Sequence, residues 1–364
     1  MKKIEIELKN NPYEVYYGAG CFKQINKLVT IKNLPQNVFA VIDSNFYEKW
    51  KNEIDKNLNG KFVKFNFIKI TPSEKEKSVK TLEKILKKLV SNNYGRDTLI
   101  ISIGGGIVGD IAGFAAAIFS RGVKYIQVPT TLLSAVDSSI GGKTGINLAQ
   151  TKNIIGSIYQ PDFVLIDTSF LKTLPKNEII CGAGEIIKYA YLTNEKFYTY
   201  VLKNIDKIFS RNKKVIENMI SECAAFKGGV VADDEKEQGL RKVLNLGHTF
   251  AHGIEVEQNH KIKHGEAVVI GLASALYLSN KLGLLKDERM KRYSMLIEKF
   301  KSEIKIRNFN KFKIYSIMQR DKKNRNNKIK FVLLIKSGEI VLDCEADRNM
   351  VLESIEYGLN YFAK

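Results

Sequence analysis

The four histidines of this chain all fall between His248 and His264. His248 and His252 are spaced so that one helical face would carry both, and His264 follows twelve residues after His252. Neutral imidazole is a common ligand for zinc and neighbouring divalent metals, so the cluster suggests a metal site with the i, i+4 pair as two of its ligands. Catalytic zinc sites often add a carboxylate to two histidines. The best donor is Glu185, in the run Cys181-Gly-Ala-Gly184-Glu185-Ile-Ile-Lys188, with Lys188 one turn further on. Arg241, Asn245, His248 and His252 are spaced 4, 3 and 4 and predict a single polar helical face. A buried polar stripe is costly unless it meets a ligand or a metal. His260, in the polar loop Gln258-Asn-His260-Lys, is read as incidental.

A second set of residues points to bound anions. Strand Thr98–Ile103 runs into Gly104-Gly-Gly106-Ile-Val-Gly109-Asp110 and then a helix, which satisfies G-x-G-x-x-G in a strand–turn–helix setting. Glycine lets a pyrophosphate approach the backbone, and the helix N-terminus favours negative charge. The usual acid about 20 residues later is missing; the next acid after Asp110 is Asp137, and Asp43 at the end of Val38–Asp43 is the alternative ribose partner. The other reading is a tight turn and no more. Further on, Asp137-Ser-Ser-Ile-Gly-Gly142-Lys143-Thr-Gly145-Ile-Asn147 resembles the end of a phosphate-binding loop, but Asp137 stands where its leading glycine belongs. What remains is a glycine loop presenting Lys143, followed by Lys152-Asn153: either an anion-binding lysine or a solvated one.

The elements that must hold these residues change texture along the chain. Strand patterns occur at 3–8, 14–17, 38–43, 62–70, 98–103, 125–128 and 163–166, with helix patterns at 20–29, 45–58, 73–91 and 109–117 between them. This alternation predicts an α/β domain with a largely parallel sheet. After Leu174-Pro175 the patterns are helical, at 178–191, 195–209, 215–233, 243–257, 264–282 and 286–300, broken by a late hairpin at 328–335 and 340–344. The predicted domains are 1–170 and 171–364, the second mainly α-helical. A chain of 364 residues is long for one core. The formal charge of +19 comes from lysines spread over the whole chain without a dense Arg tract, which argues against nucleic-acid binding and is compatible with steering an anionic substrate. No apolar run reaches the roughly 18–20 residues of a membrane helix, and the N-terminus reads as a strand, not a signal peptide. Cys21, Cys181, Cys223 and Cys344 form no Cys-x-x-Cys, which fits a reduced, cytoplasmic protein.

Taken in order, the motifs resemble those of the 3-dehydroquinate synthase family, within the sugar-phosphate cyclase superfamily. They are Gly104–Asp110, Arg121-Gly122, Pro129-Thr-Thr-Leu-Leu133, Asp137–Asn147, Lys152-Asn153, Glu185-Ile-Ile-Lys188, Arg241-x-x-x-Asn245-x-Gly-His248 and His264-Gly-Glu-Ala. The resemblance spans about residues 43 to 325. It implies a Rossmann-like NAD-binding α/β domain, then a helical metal-binding domain, with the active site between them. The implied reaction converts the seven-carbon phosphate DAHP to 3-dehydroquinate plus phosphate, in the shikimate pathway. Its stages are transient oxidation by NAD, phosphate elimination, reduction, ring opening and intramolecular aldol closure, with the metal as Lewis acid.

By resemblance the metal ligands are Glu185, His248 and His264, with Zn²⁺ or Co²⁺ as the metal, and the i, i+4 partner His252 faces substrate instead. The NAD-side residues are Asp43, Glu74, Lys77, Gly105, Gly106, Gly109, Asp110, Thr130, Thr131, Lys143 and Lys152. Asp137, Lys143, Asn153, Lys188, Lys227, Arg241, Asn245, His252 and Lys323 match the substrate pocket, with His252, Lys188, Asp137 and Asn153 as its catalytic members. Arg121 matches an arginine that reaches the substrate phosphate across a homodimer interface. Three departures stand out: Ser73-Glu74-Lys-Glu-Lys77 where Gly-Glu-x-x-Lys is usual, Ser134-Ala135 for bulkier residues, and Asn327 for glycine in the late lysine motif, where Lys323 is taken over Lys322. The alternatives are a sister cyclase making 2-deoxy-scyllo-inosose or 2-epi-5-epi-valiolone, and a glycerol-dehydrogenase-like oxidoreductase. The cations Lys227 and Arg241 with Asn245 suit a substrate carboxylate, which the sugar-phosphate substrates lack.

Overall fold

All seven strands predicted in the first half enter one sheet, in the order β1-β2-β9-β6-β5-β3-β4. They are β1 (Lys2–Ile6), β2 (Tyr13–Gly18), β3 (Asn37–Asp43), β4 (Lys64–Ile70), β5 (Thr98–Gly104), β6 (Lys124–Pro129) and β9 (Phe163–Asp167); only the β1–β2 pair is antiparallel. The computed structural model describes residues 1–149, 151–320 and 328–363. Every residue of β5 is buried, as a central parallel strand covered on both faces requires. Side chains alternate between two cores. Val38, Ala40, Ile42, Leu99, Ile101 and Ile103 pack with Phe22, Ile25, Phe46 and Phe170. Phe39, Val41 and Ile100 pack on the other face with Leu82, Ile85 and Ile111. The helices that supply these layers are α1 (Ile25–Ile31), α2 (Ser44–Leu58), α3 (Val79–Ser91) and α4 (Gly106–Ile118).

The order β4-β3-β5-β6-β9 reverses direction between β3 and β5. In open α/β sheets a ligand crevice lies at the carboxyl ends of the strands at such a switch point. Ile42 is in register with Ile103, which sets Asp43 beside the turn Gly104–Gly106.

Two sequence expectations for this part are corrected. The segment read as a lysine-presenting loop is an antiparallel hairpin, β7 (Lys143–Leu148) and β8 (Thr151–Ile158). Its strands cross at Gly145 and Gly156, where a Cβ would lie 2.5 Å from Ile155 O and 2.1 Å from Thr144 O respectively. Glycine lowers strand propensity, so the local pattern reads as loop, while the close backbone approach demands it. The helix expected from Ser73 begins only at Val79, because Ser78 caps it, its Oγ accepting from Thr81 N at 3.3 Å.

The helices of the second half are α5 (Lys176–Leu192), α6 (Glu195–Asn204), α7 (Asp206–Phe209), α8 (Lys213–Asp233), α9 (His248–Glu257), α10 (His264–Lys281), α11 (Asp287–Glu298), α12 (Lys311–Gln319) and α13 (Arg348–Asn360). The late hairpin is β10 (Phe331–Lys336) with β11 (Glu339–Cys344). The chain divides into two compact units, one of Met1–Pro175 with Ile216–Lys236, the other of Lys176–Val215 with Glu237–Lys364. The segment 216–236, placed by sequence in the second domain, thus packs with the first. In the second unit α10 is central, touching α5, α9, α11, α13 and β10; Val268, Val269, Ile270 and Leu278 on it are fully buried.

Candidate metal centre and glycine-rich turn

Three segments distant in sequence converge in the second unit. Glu185 on α5, His248 at the start of α9 and His264 at the start of α10 place one ligand atom each within 4.8 Å of one another. Glu185 Oε1 lies 3.2 Å from His264 Nε2 and 3.5 Å from His248 Nε2. Its other oxygen is 2.5 Å from Lys188 Nζ. Both Glu185 oxygens are buried, and neither has a partner in good hydrogen-bond geometry. Lys188 offsets part of the cost of burying this carboxylate, and a cation among the three residues would give Oε1 a partner as well.

Glycines make the convergence possible. A Cβ on Gly184 would stand 2.2 Å from Gly265 O, and one on Gly265 would stand 1.8 Å from Cys181 O. Only with hydrogen at both positions do α5 and α10 approach closely enough for Glu185 to meet His264. A similar contact seats α9, since a Cβ on Gly271 would be 2.2 Å from Gly247 O. Gly247 itself has φ +76 and forms the N-cap of α9.

That turn corrects the predicted polar face. Arg241 and Asn245 lie on a short 3-10 turn, Leu240–Asn245; Leu246 is extended, and α9 begins afresh at His248. The 4, 3, 4 spacing therefore spans two elements and not one helix. His252 is not among the three residues whose ligand atoms converge; its ring is 5.6 Å from that of His248 and 6.4 Å from that of His264. His260 is exposed at φ +57 beyond α9.

The electrostatics differ at each of the three residues. Burial pushes His248 down to about 4, and Lys188 adds to the effect. Its Nδ1 lies 3.2 Å from Leu246 O; with Nδ1–H donating there, Nε2 carries the lone pair. Burial opposes ionisation of Glu185 too, but Lys188, His248 and His264 together outweigh it and hold the carboxyl well below the usual range. His264 behaves oppositely: burial opposes its charge, yet the carboxylates of Glu185 and Glu255 raise it above the ordinary imidazole value. A metal taking His264 Nε2 would displace a proton.

The first unit assembles a different chemistry. Thr130 N donates to Gly104 O at 3.0 Å, and a Cβ on Gly105 would lie 3.0 Å from Thr131 Cγ2, so both threonines border the glycine turn. Side chains are excluded there: a Cβ on Gly106 would be 2.9 Å from Ser138 Oγ, and one on Gly109 2.9 Å from Gln127 Nε2. Gly105 caps α4 without a side-chain hydrogen bond, leaving first-turn N–H groups directed outward from the helix end. Asp43 is buried and caps α2, Oδ1 accepting from Asn45 N at 2.8 Å and Phe46 N at 3.1 Å.

Lys77 joins Asp110 and Asn153 Oδ1, and Glu74 accepts from Asn147 Nδ2 at 2.8 Å. Asn153 holds φ +52 while its N–H donates to Asn147 Oδ1 at 2.9 Å. Lys227 pairs with Asp137 at 3.0 Å and also donates to its carbonyl at 2.8 Å. Lys143 opens β7 and Lys152 lies on β8, both exposed. Arg121, exposed at φ +68, sits between Ser120 at φ +49 and Gly122 at φ +113. Lys322 and Lys323 lie outside the described residues.

In the second unit Arg241 is 1% exposed, a degree of burial that a guanidinium reaches only when paired. Three polar residues escaped the sequence reading. Asn147 is one; Glu237, at φ +57, accepts from Asn245 Nδ2 at 3.3 Å. Glu255 Oε1 lies 3.5 Å from His264 Nδ1. Only Glu255 had a usable signal, its i+7 spacing from His248 on one helical face.

Comparison with known proteins places this architecture. Residues 67–181 match the family model described as 3-dehydroquinate synthase N-terminal, and residues 182–324 match the one described as 3-dehydroquinate synthase C-terminal. The 3-dehydroquinate synthase of Alkaliphilus metalliredigens is 37% identical over 334 residues, 92% of each chain. Among solved structures, a 2-deoxy-scyllo-inosose synthase complexed with carbaglucose-6-phosphate, NAD⁺ and Co²⁺ superposes with a TM-score of 0.90, covering 97% of this chain and 99% of that one at 23% identity. A 2-epi-5-epi-valiolone synthase from Streptomyces hygroscopicus subsp. jinggangensis, with NAD⁺ and Zn²⁺ bound, gives 0.86 at 21% identity, covering 97% and 98%. The two structures share the fold, while the sequence match decides the family: the chain belongs to the 3-dehydroquinate synthase family.

Proposed function

We infer that this chain is a 3-dehydroquinate synthase that takes DAHP to 3-dehydroquinate and phosphate, using NAD and one divalent metal. The observation that carries this reading is the buried Glu185–His248–His264 set with Lys188 against it, on a chain that matches the family along most of its length. The nitrogen and oxygen donors fit Zn²⁺ or Co²⁺, and three protein ligands leave a position for substrate. When bound, the metal supplies Lewis acidity toward a substrate hydroxyl, and NAD supplies a hydride acceptor that is restored within each turnover.

The residues of the chain bind, orient and move protons. Lys188 presents its ammonium beside the ligand set, where an anionic substrate or a developing alkoxide gains from a fixed positive charge. Arg241 and Asn245 are assigned to the substrate carboxylate, since guanidinium and amide present donors in a defined plane. His252, one turn from His248, is assigned to proton transfer. The resemblance supports adding Asp137, Lys143, Asn153, Lys227, Lys323 and the partner-reaching Arg121 as substrate residues. The glycine turn with Asp43, Glu74, Lys77, Asp110, Thr130, Thr131 and Lys152 is assigned to NAD. The positive φ angles at 120–122 support a functional Arg121, and the resemblance of Arg121 to a partner-reaching arginine supports a homodimer. No helix among the described residues is long and apolar enough to cross a membrane. The free cysteines support a reducing, cytoplasmic setting.

The test is turnover of DAHP by metal-loaded protein with catalytic NAD⁺, read as phosphate release and dehydroquinate formation. Turnover of glucose 6-phosphate or sedoheptulose 7-phosphate in place of DAHP would assign the chain to a sister cyclase.

A further inference from the structure

Each of the two histidines facing Glu185 also has its far nitrogen opposite an acceptor, but the acceptors differ. His248 Nδ1 meets a backbone carbonyl, Leu246 O, at 3.2 Å. That carbonyl is held in place because Leu246 N donates to Val243 O at 3.2 Å. His264 Nδ1 meets a carboxylate, Glu255 Oε1, at 3.5 Å. The His264 side chain is 32% exposed against 12% for His248, and it stands on the first residue of its helix. Its ring is therefore the less confined of the two. Glu255 is buried, 8% exposed, on α9 two turns beyond His248. A carboxylate is buried at high cost unless it acts on a partner, and His264 is one that it faces.

We propose that Glu255 is a positioning residue for the metal centre. Its carboxylate accepts from His264 Nδ1–H, selects the tautomer with the lone pair on Nε2, and turns that nitrogen toward Glu185 Oε1. An anionic acceptor also makes the imidazole a stronger donor to a cation than the neutral carbonyl behind His248 does. The helix α9 thus carries one ligand and the orienting group of another, so a single rigid element ties two ligands together. This proposal rests on the metal reading of Glu185, His248 and His264.

The test is Co²⁺ binding to the full-length protein, followed by the visible absorption of the bound ion and by chelator competition. Four proteins are compared: wild type, Glu255→Gln, Glu255→Ala and His264→Ala. Outer-shell partners of this kind typically cost 10–100-fold in metal affinity when removed. Glu255→Gln, which keeps the shape and loses the charge, is expected to weaken Co²⁺ binding about tenfold, and Glu255→Ala by up to about 100-fold, with altered Co²⁺ bands in both. Nitrogen NMR of the zinc-loaded wild type is expected to show His264 protonated at Nδ1 and strongly hydrogen-bonded, a signature weakened in Glu255→Gln. Wild-type affinity and unchanged bands in both Glu255 variants, with binding lost in His264→Ala, would overturn the positioning role and leave the metal reading intact. Retention of wild-type affinity by His264→Ala would remove the metal reading, and this proposal with it. Should Glu255→Ala fail to fold, the isosteric Glu255→Gln alone decides the matter.

Discussion

Replacing Gly265 by alanine tests whether backbone proximity builds the metal centre. The added Cβ would fall 1.8 Å from Cys181 O, 2.5 Å from Cys181 C and 2.7 Å from Cys181 Cα. Ordinary van der Waals separation requires a retreat of roughly 1.5 Å. The obstacle is helix backbone, which cannot swing aside as a side chain can, so α5 and α10 must part. The move carries Glu185 away from His264, which now stand 3.2 Å apart. Metal–ligand distances tolerate only about 0.2 Å, so the third ligand is lost or strained. Overpacking of this kind costs about 1–3 kcal/mol of folding stability. The expected result is a folded protein, destabilised by about 2 kcal/mol, whose affinity for Co²⁺ falls at least about 100-fold. Chelator competition measures the affinity, and denaturant unfolding of the metal-free protein measures the stability. A Gly265→Ala protein that binds Co²⁺ as tightly as wild type would refute the argument.

Gly229→Ala is the matched control. Gly229 lies within α8, and a Cβ there meets nothing within 4 Å, so denaturant unfolding should show a gain of about 0.5–1 kcal/mol with metal affinity unchanged. His248→Ala should lose both metal and activity, while His260→Ala should retain both; metal analysis after dialysis, with a phosphate-release assay, separates them. Asp167 accepts from Gly20 N at 2.8 Å, Phe22 N at 2.9 Å and Ser169 N at 2.9 Å, so Asp167→Ala leaves three N–H groups without this acceptor. It should cost about 3 kcal/mol or more in unfolding free energy, and Asp167→Asn less, because its single carbonyl oxygen still serves Gly20 and Ser169.

What sequence alone determined about this protein is what short-range pattern encodes. The strands of the central sheet are legible because apolar side chains repeat with period two, or run unbroken where both faces are covered, as in Thr98–Gly104. The glycine turn is legible because its glycines, its strand and its helix are contiguous. Residue types capable of binding a metal are legible because imidazole and carboxylate announce their chemistry. Tertiary structure decided which of them meet. His248 and His252 share a helical face, yet the group able to hold a metal joins His248 to residues on two other helices. Whether α5 and α10 approach closely depends on Gly184 and Gly265 facing each other across 81 residues of chain, a pairing no local window contains. The break at Leu246-Gly247 follows from the seating of Gly247 against α10, where a Cβ would lie 2.9 Å from Leu272 N. The β7–β8 hairpin was hidden because its glycines read as loop until the opposing strand supplies the contact that requires them. The ligands are chemically local but their convergence is not, since it depends on how closely two helix backbones can pack.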